Sequence, residues 1–343
     1  MKNTFMRNLA IFATIFTMIV VILGAFTRLS DAGLGCPDWP GCYGFIHIST
    51  QADHVTAANQ AFPEQPYEFA KAWPEMVHRY FASSLGLLVM ALVFFCWKSR
   101  DRFTLRHSIF LLALVIFQGI LGKWTVTMKL HPLVVMSHLL GGIMTFSLLA
   151  SLAVRYHFKA KQALSAQIAA RIKPFVIASL VIVVLQVALG GWTSANYAAM
   201  VCHELPICQG NWLSDGDFIS GFQLWGREAE TYEFGILDQS SRVAIHSMHR
   251  IGAFVTALIL LHMIVSLYRR SVLLKKFSIT LAVMLVVQIT LGVNNILFQL
   301  PLFNAVAHNA VGALLVVTLV CLLTVVLTSL NMQKKNIEEK ANV

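Results

Sequence analysis

Charge is scarce in this chain. Only 12% of its 343 residues are Asp, Glu, Lys or Arg, while 57% are hydrophobic. Soluble domains carry about 25% charge, so the shortage excludes an ordinary soluble fold. Acidic residues are the scarcer sign, 16 against 26 basic ones, for a formal net charge of +10. A basic balance of this kind raises nucleic acid as a partner, but the placement of the charges excludes it, as shown below. No small-residue cleavage site follows the first apolar stretch, so that stretch is expected to be a membrane helix and not a removed signal peptide.

What the chain has in abundance is long apolar runs. A bilayer is crossed by about 20 apolar residues in a helix, and helices satisfy their own backbone groups in lipid. Eight such runs are read at 8–28, 77–97, 108–128, 134–155, 174–194, 244–268, 277–297 and 305–328. Basic residues cluster in alternate gaps. They are Lys2 and Arg7; Lys98, Arg100, Arg102 and Arg106; Arg155, Lys159, Lys161, Arg171 and Lys173; Arg269, Arg270, Lys275 and Lys276; and Lys334, Lys335 and Lys340. That is 18 of the 26 on one side, which the positive-inside rule makes the cytoplasm, with both termini there. Two long loops, 29–73 and 195–243, lie on the other side with most of the acids. This is ordinary membrane topology and gives no nucleic-acid surface.

Of six cysteines, Cys96 and Cys321 fall inside apolar runs and read as core residues. The others form two pairs in the outer loops, Cys36/Cys42 and Cys202/Cys208. The outer side of a bacterial inner membrane is oxidising, which favours pairing. Whether the pairs act as staples or in chemistry is open at this point.

The chain repeats itself. Cys36-Pro-Asp-Trp-Pro-Gly-Cys42 and Cys202-His-Glu-Leu-Pro-Ile-Cys208 share the pattern C-x-acid-x-P-x-C, and Thr27 matches Thr193 at the same offset of 166. His78-Arg79 matches His249-Arg250. Gln118, Leu121, Gly122 and His138 match Gln288, Leu291, Gly292 and His308, with 20 residues from Gln to His in each copy. The expected fold is an all-α integral membrane protein. Its eight helices form two four-helix bundles related by a pseudo-two-fold along the membrane normal. The expected units are 1–155 and 174–343, joined by a short basic cytoplasmic link, 156–173.

His78, His138, His249 and His308 all fall early in helices that run inward from the outer side. They therefore lie at similar shallow depth. Two histidines facing each other inside a bundle suit the axial positions of one heme iron. Zinc or copper is the alternative, but the thiolates or carboxylates of a closed structural zinc site are lacking. Arg79 and Arg250 are placed to meet heme propionates. Gly141, Gly142 and Gly312 would let a flat macrocycle approach. His47, His54, His107, His131, His157 and His262 do not repeat and read as interfacial residues.

The copies differ at a charged position beside the repeated histidines. Glu75 precedes His78 by three residues, whereas the aligned position in the second copy is His246. Glu75 reads either as a general base or cation stabiliser, or as a helix-start acid after Trp73-Pro74. The asymmetry suggests chemistry in one half and a permanent redox cofactor in the other.

With Glu75-Met-Val-His78-Arg79, His249-Arg250, His138, His308, both cysteine pairs and eight helices in two halves, the chain resembles the heme A synthase family over nearly its whole length. The resemblance implies oxidation of a methyl group of heme O to the formyl group of heme A, supporting cytochrome oxidase assembly. It implies heme b on His249 and His308, heme O as substrate on His78 and His138, and Glu75 assisting catalysis. It further implies disulfides Cys36–Cys42 and Cys202–Cys208. It places the chain in the bacterial inner membrane, multi-pass, with the heme sites towards the periplasm. Expected partners are heme O synthase, oxidase assembly factors and an unidentified electron-transfer partner; a homo-oligomer is left open. A di-heme b electron-transfer protein and a heme carrier for oxidase assembly are the rival readings of the four histidines. No role is assigned to loop segments 45–72 and 211–241.

Overall fold

The computed structural model describes residues 2–99, 102–158, 163–206, 208 and 212–341. Arg100, Lys159, Lys161 and residue 211 lie outside the described residues, as do the side chains of Lys2, Lys335 and Lys340. Among the described residues regular structure is helical. In chain order the helices are α1 (Lys2–Leu29), α2 (Ala52–Ala61), α3 (Phe69–Ser99), α4 (Arg102–Thr127), α5 (Pro132–His157) and α6 (Ala166–Ala195). They continue with α7 (Trp212–Asp215), α8 (Phe218–Gly221), α9 (Gln239–Tyr268), α10 (Val272–Leu297) and α11 (Leu302–Ala341). An isolated antiparallel bridge joins Cys42 and Phe45.

Eight of these helices are long and apolar enough to cross a membrane: α1, α3, α4, α5, α6, α9, α10 and α11. Each coincides with one of the eight apolar runs, although Met128 falls just beyond α4. Polar caps fix several starts. Ser165 accepts from the Ile168 amide at α6, Asp238 from Ser241 at α9, and Ser271 from Leu274 at α10. Several helices outrun their apolar runs: α11 continues to Ala341, α6 starts at Ala166, and α3 starts at Phe69 and runs through Pro74. Pro74 is interior to the helix, where it forfeits one backbone hydrogen bond. Glu75 is therefore seven residues into its helix, past the first turn where the macrodipole acts, and the helix-start account of this acid falls away.

Within the first half, α1 packs on α3 and α5, and α4 on α3 and α5. Within the second, α6 packs on α9 and α11, and α10 on α9 and α11. Both halves thus close as four-helix rings with the same order of neighbours. The rings meet along α5 with α11, α5 with α6, and α1 with α11. Polar bonds lock this seam, including Ser151 Oγ with Thr324 Oγ1 at 2.8 Å and Arg28 Nη2 donating to the Ser194 carbonyl at 2.6 Å.

The remaining helices lie in the two long loops, both at the same end of the bundle. The loop after α1 carries the Cys36–Cys42 disulfide. It folds with α2 into a small cap around Tyr43, Ala58, Ala72 and Met76. Asp38 accepts from the amides of Tyr43 at 2.6 Å and Gly44 at 2.9 Å. That pairing fixes the turn, in which Tyr43 takes a left-handed φ of 55°. Burial, with the charge of Glu68 adding to it, pushes the Tyr43 phenol up to about 12. The loop after α6 carries Cys202–Cys208 and reaches across to the first half. There the Tyr232 amide donates to the Lys129 carbonyl at 3.0 Å, and His131 packs edge-on against Tyr232 at 4.8 Å.

Candidate functional site

His78 enters the first ring from α3 and His138 from α5. Their ring centroids stand 6.3 Å apart with planes at 89°. In each ring Nδ1 is buried with no hydrogen-bond partner. Neither imidazole is consumed by the protein at that atom. An imidazole–metal bond is about 2 Å, so two rings facing one ion have centroids roughly 6 Å apart. The observed spacing meets that requirement. His249 and His308 occupy the matching places on α9 and α11. His308 Nδ1 is also buried without a partner, while Gln186 Nε2 stands 3.0 Å from His249 Nδ1.

Glycines on the neighbouring helices make room for all four rings. A Cβ at Gly24 would stand 2.9 Å from His78 Cε1, and one at Gly190 would stand 3.1 Å from His249 Cε1. At Gly122 and Gly292 the distances to His138 and His308 Cε1 are 3.6 and 3.1 Å. Small residues let membrane helices approach closely; here the space is taken by an imidazole. Gly24 and Gly190 escaped the sequence reading, although they share the offset of 166 that relates Thr27 and Thr193. Gly141 and Gly252 instead make room for the amides of Gln118 and Gln186. Gly142 does line the cavity beside His138.

That cavity, about 370 Å³, is lined by His78, His138, Glu75, Arg79, Gln118 and Arg28, among apolar residues. Glu75 is buried at 5% exposure. One carboxylate oxygen pairs with Arg79, and the other accepts from the Cys36 amide at 2.9 Å. Removing either partner of a buried ion pair leaves an uncompensated charge, so Glu75 and Arg79 form one unit.

The two repeated arginines do something the sequence did not suggest. Arg79 Nη1 donates to the carbonyls of Asp38, at 2.9 Å, and of Gly41. Arg250 donates to the carbonyls of Glu204 at 2.6 Å and Cys202 at 2.7 Å. Each arginine therefore clamps the disulfide loop of its own half. Arg250 keeps a buried Nε with no partner. His246, which replaces Glu75 in the second half, bonds through Nδ1 to the Ala198 carbonyl at 2.9 Å. Several unrepeated histidines also have protein neighbours. His107 Nε2 lies 3.0 Å from the Leu148 carbonyl, and His54 packs on Phe45 with centroids 4.1 Å apart.

Fold and site together define an all-helical, multi-pass membrane protein with a buried pair of facing imidazoles and a carboxylate beside it. Residues 7–320 match the model of the COX15-CtaA family, cytochrome oxidase assembly protein, and the chain belongs to that family. It is 46% identical over 306 residues to a protein of Shewanella oneidensis named heme A synthase, covering 89% of this chain and 92% of that one. Proteins with the same name from Rickettsia bellii and Flavobacterium psychrophilum are each 26% identical. They match 86% and 88% of this chain and 90% and 91% of their own lengths.

The arginine clamps make a prediction. Arg79→Ala should speed reduction of Cys36–Cys42 by an impermeant reductant about tenfold, the size of losing a charge-assisted bond, and leave Cys202–Cys208 unchanged. Arg250→Ala should do the reverse. Alkylation of freed thiols followed by mass spectrometry reads both bonds. Equal effects of each variant on both disulfides would contradict separate clamps.

Proposed function

We propose that this chain is a heme A synthase, oxidising the C8 methyl group of heme O to a formyl group. The observation that carries the reading is the facing pair His78 and His138, 6.3 Å apart, beside the buried carboxylate of Glu75. Relatives that match nearly their whole length bear that name.

The division of labour follows the asymmetry of the two halves. His78 and His138 hold the substrate heme O. His249 and His308 hold a resident heme b, with glycines shaping both pockets. The buried, partnerless Nδ1 of His308 and the seating of both imidazoles against Gly190 and Gly292 support that assignment. The unpartnered Nε of Arg250 is available to a propionate. Heme b, when bound, supplies one-electron transfer between the substrate site and an external acceptor.

The overall reaction is two successive two-electron oxidations of one methyl group. The first gives an alcohol with an oxygen from water. The second gives a hydrated aldehyde, which loses water. Four electrons and four protons leave in total, so an electron-accepting partner is required. Glu75 sits where a cation developing at the methyl carbon would be stabilised, or a proton from attacking water taken up. Its bonds to Arg79 and the Cys36 amide fix the carboxylate in place. The buried apolar lining keeps bulk water from the reacting carbon.

The surroundings complete the proposal. The chain lies in the bacterial inner membrane with its termini in the cytoplasm and both sites towards the periplasm. The halves are related by a pseudo-two-fold along the membrane normal. Heme O synthase supplies the substrate, and oxidase assembly factors receive the product.

Pigment extraction tests the activity. Membranes holding this chain and a heme O synthase should yield heme A. Folded protein with only heme B and heme O would refute the reading. Glu75→Gln, which keeps an acceptor for the Cys36 amide, should retain bound heme but lower heme A formation roughly a hundredfold. An unchanged yield would remove Glu75 from the mechanism.

A further inference from the structure

Three charged residues line the cavity of the first half: Glu75, Arg79 and Arg28. Glu75 and Arg79 neutralise each other. Arg28 is the remaining charge, and its surroundings do not cancel it. Its side chain is 15% exposed. Nη2 donates to the Ser194 carbonyl at 2.6 Å, and the guanidinium lies over the Tyr197 ring at 4.2 Å. Both contacts orient the group without neutralising it. The neighbouring acid, Asp31, is 3.8 Å away and 45% exposed, so water screens that pair. Nε is buried and has no hydrogen-bond partner. A buried donor left unpaired beside a cavity marks a place for an acceptor.

Its position is equally specific. Gly24, where His78 is seated, lies four residues before Arg28 on α1. The two share a helix face, with Arg28 about 6 Å nearer the end that carries the disulfide loops. A macrocycle between His78 and His138 would present its edge to this arginine. The second half has no equivalent. At the offset of 166 that relates Gly24 to Gly190 and Thr27 to Thr193, Arg28 corresponds to Ser194. The cation is thus particular to the first half, as Glu75 is.

We infer that Arg28 is the carboxylate-binding residue of the first-half site, gripping a propionate of the heme substrate with its guanidinium. The inference rests on reading that half as the substrate site. It also divides the arginines by task. Arg79 holds the disulfide loop and Glu75, while Arg28 holds the substrate's acid edge. Guanidinium–carboxylate pairing is the strong, directional contact for this purpose.

The test uses the full chain purified with its resident heme, titrated with ferric protoporphyrin IX and, separately, with its dimethyl ester. Binding is read from the absorbance change on bis-imidazole ligation. The wild-type protein should bind the free acid more tightly than the diester. Arg28→Gln should weaken the acid about tenfold, to the level of the diester, and leave the diester unchanged. Arg28→Lys should keep part of the preference. Retention of the resident heme shows that each variant is folded. Equal weakening of acid and diester by Arg28→Gln, or an intact preference, overturns the assignment. His78→Ala separates the two levels of the argument. If added porphyrin binds it as well as wild type, the reading of the halves fails, and the role of Arg28 with it. If binding needs His78 but ignores Arg28, only the Arg28 assignment fails.

Discussion

Close approach of helices at glycine is the constraint on which the site depends. A side chain at Gly24, Gly190 or Gly292 would crowd the volume held by an imidazole, and Gly122 lies in van der Waals contact with the fourth. Those four glycines sit on α1, α4, α6 and α10, while the histidines sit on α3, α5, α9 and α11. Every helix of both rings thus contributes either a ring or the space for one. The same packing buries nitrogen atoms that the protein leaves unpartnered at His78, His138 and His308. Buried polar atoms normally find partners, and these three find none within the protein.

The loop end adds the charged parts. Arg79 and Arg250 tie the two disulfide loops to the rings by carbonyl contacts. In the first half this tie also includes Glu75, through Arg79 and the Cys36 amide. The carboxylate is thereby held one turn from His78. In the second half His246 takes the corresponding place and bonds to a backbone carbonyl. At matching positions of the repeat the two halves therefore differ in charge: the first has Glu75 and Arg28 where the second has His246 and Ser194.

Much of this was legible in the sequence. The apolar runs locate all eight long helices because lipid leaves a backbone no alternative. The repeated histidines announce themselves by equal spacings, 20 residues from Gln118 to His138 and from Gln288 to His308. The length of α3 was not legible, since Pro74 looks like a helix start and lies inside one. Nor was the clamping of the disulfide loops by Arg79 and Arg250, because the loop partners are backbone carbonyls, which no residue pattern reveals. Gln186 was missed because it has no counterpart: at the offset of 166 the first half has Val20. Its contact with His249 is a property of packing alone. Arg28 was passed over for a similar reason, since its meaning comes from a cavity that α1 shares with α3 and α5.

On the proposed assignment the halves are alike in build and different in task. Heme occupancy of single-histidine variants tests it most directly, read from the absorbance spectrum of the purified chain. His249→Ala should lose the resident heme, while His78→Ala should keep it. Loss of the resident heme from His78→Ala, with retention in His249→Ala, would contradict the account.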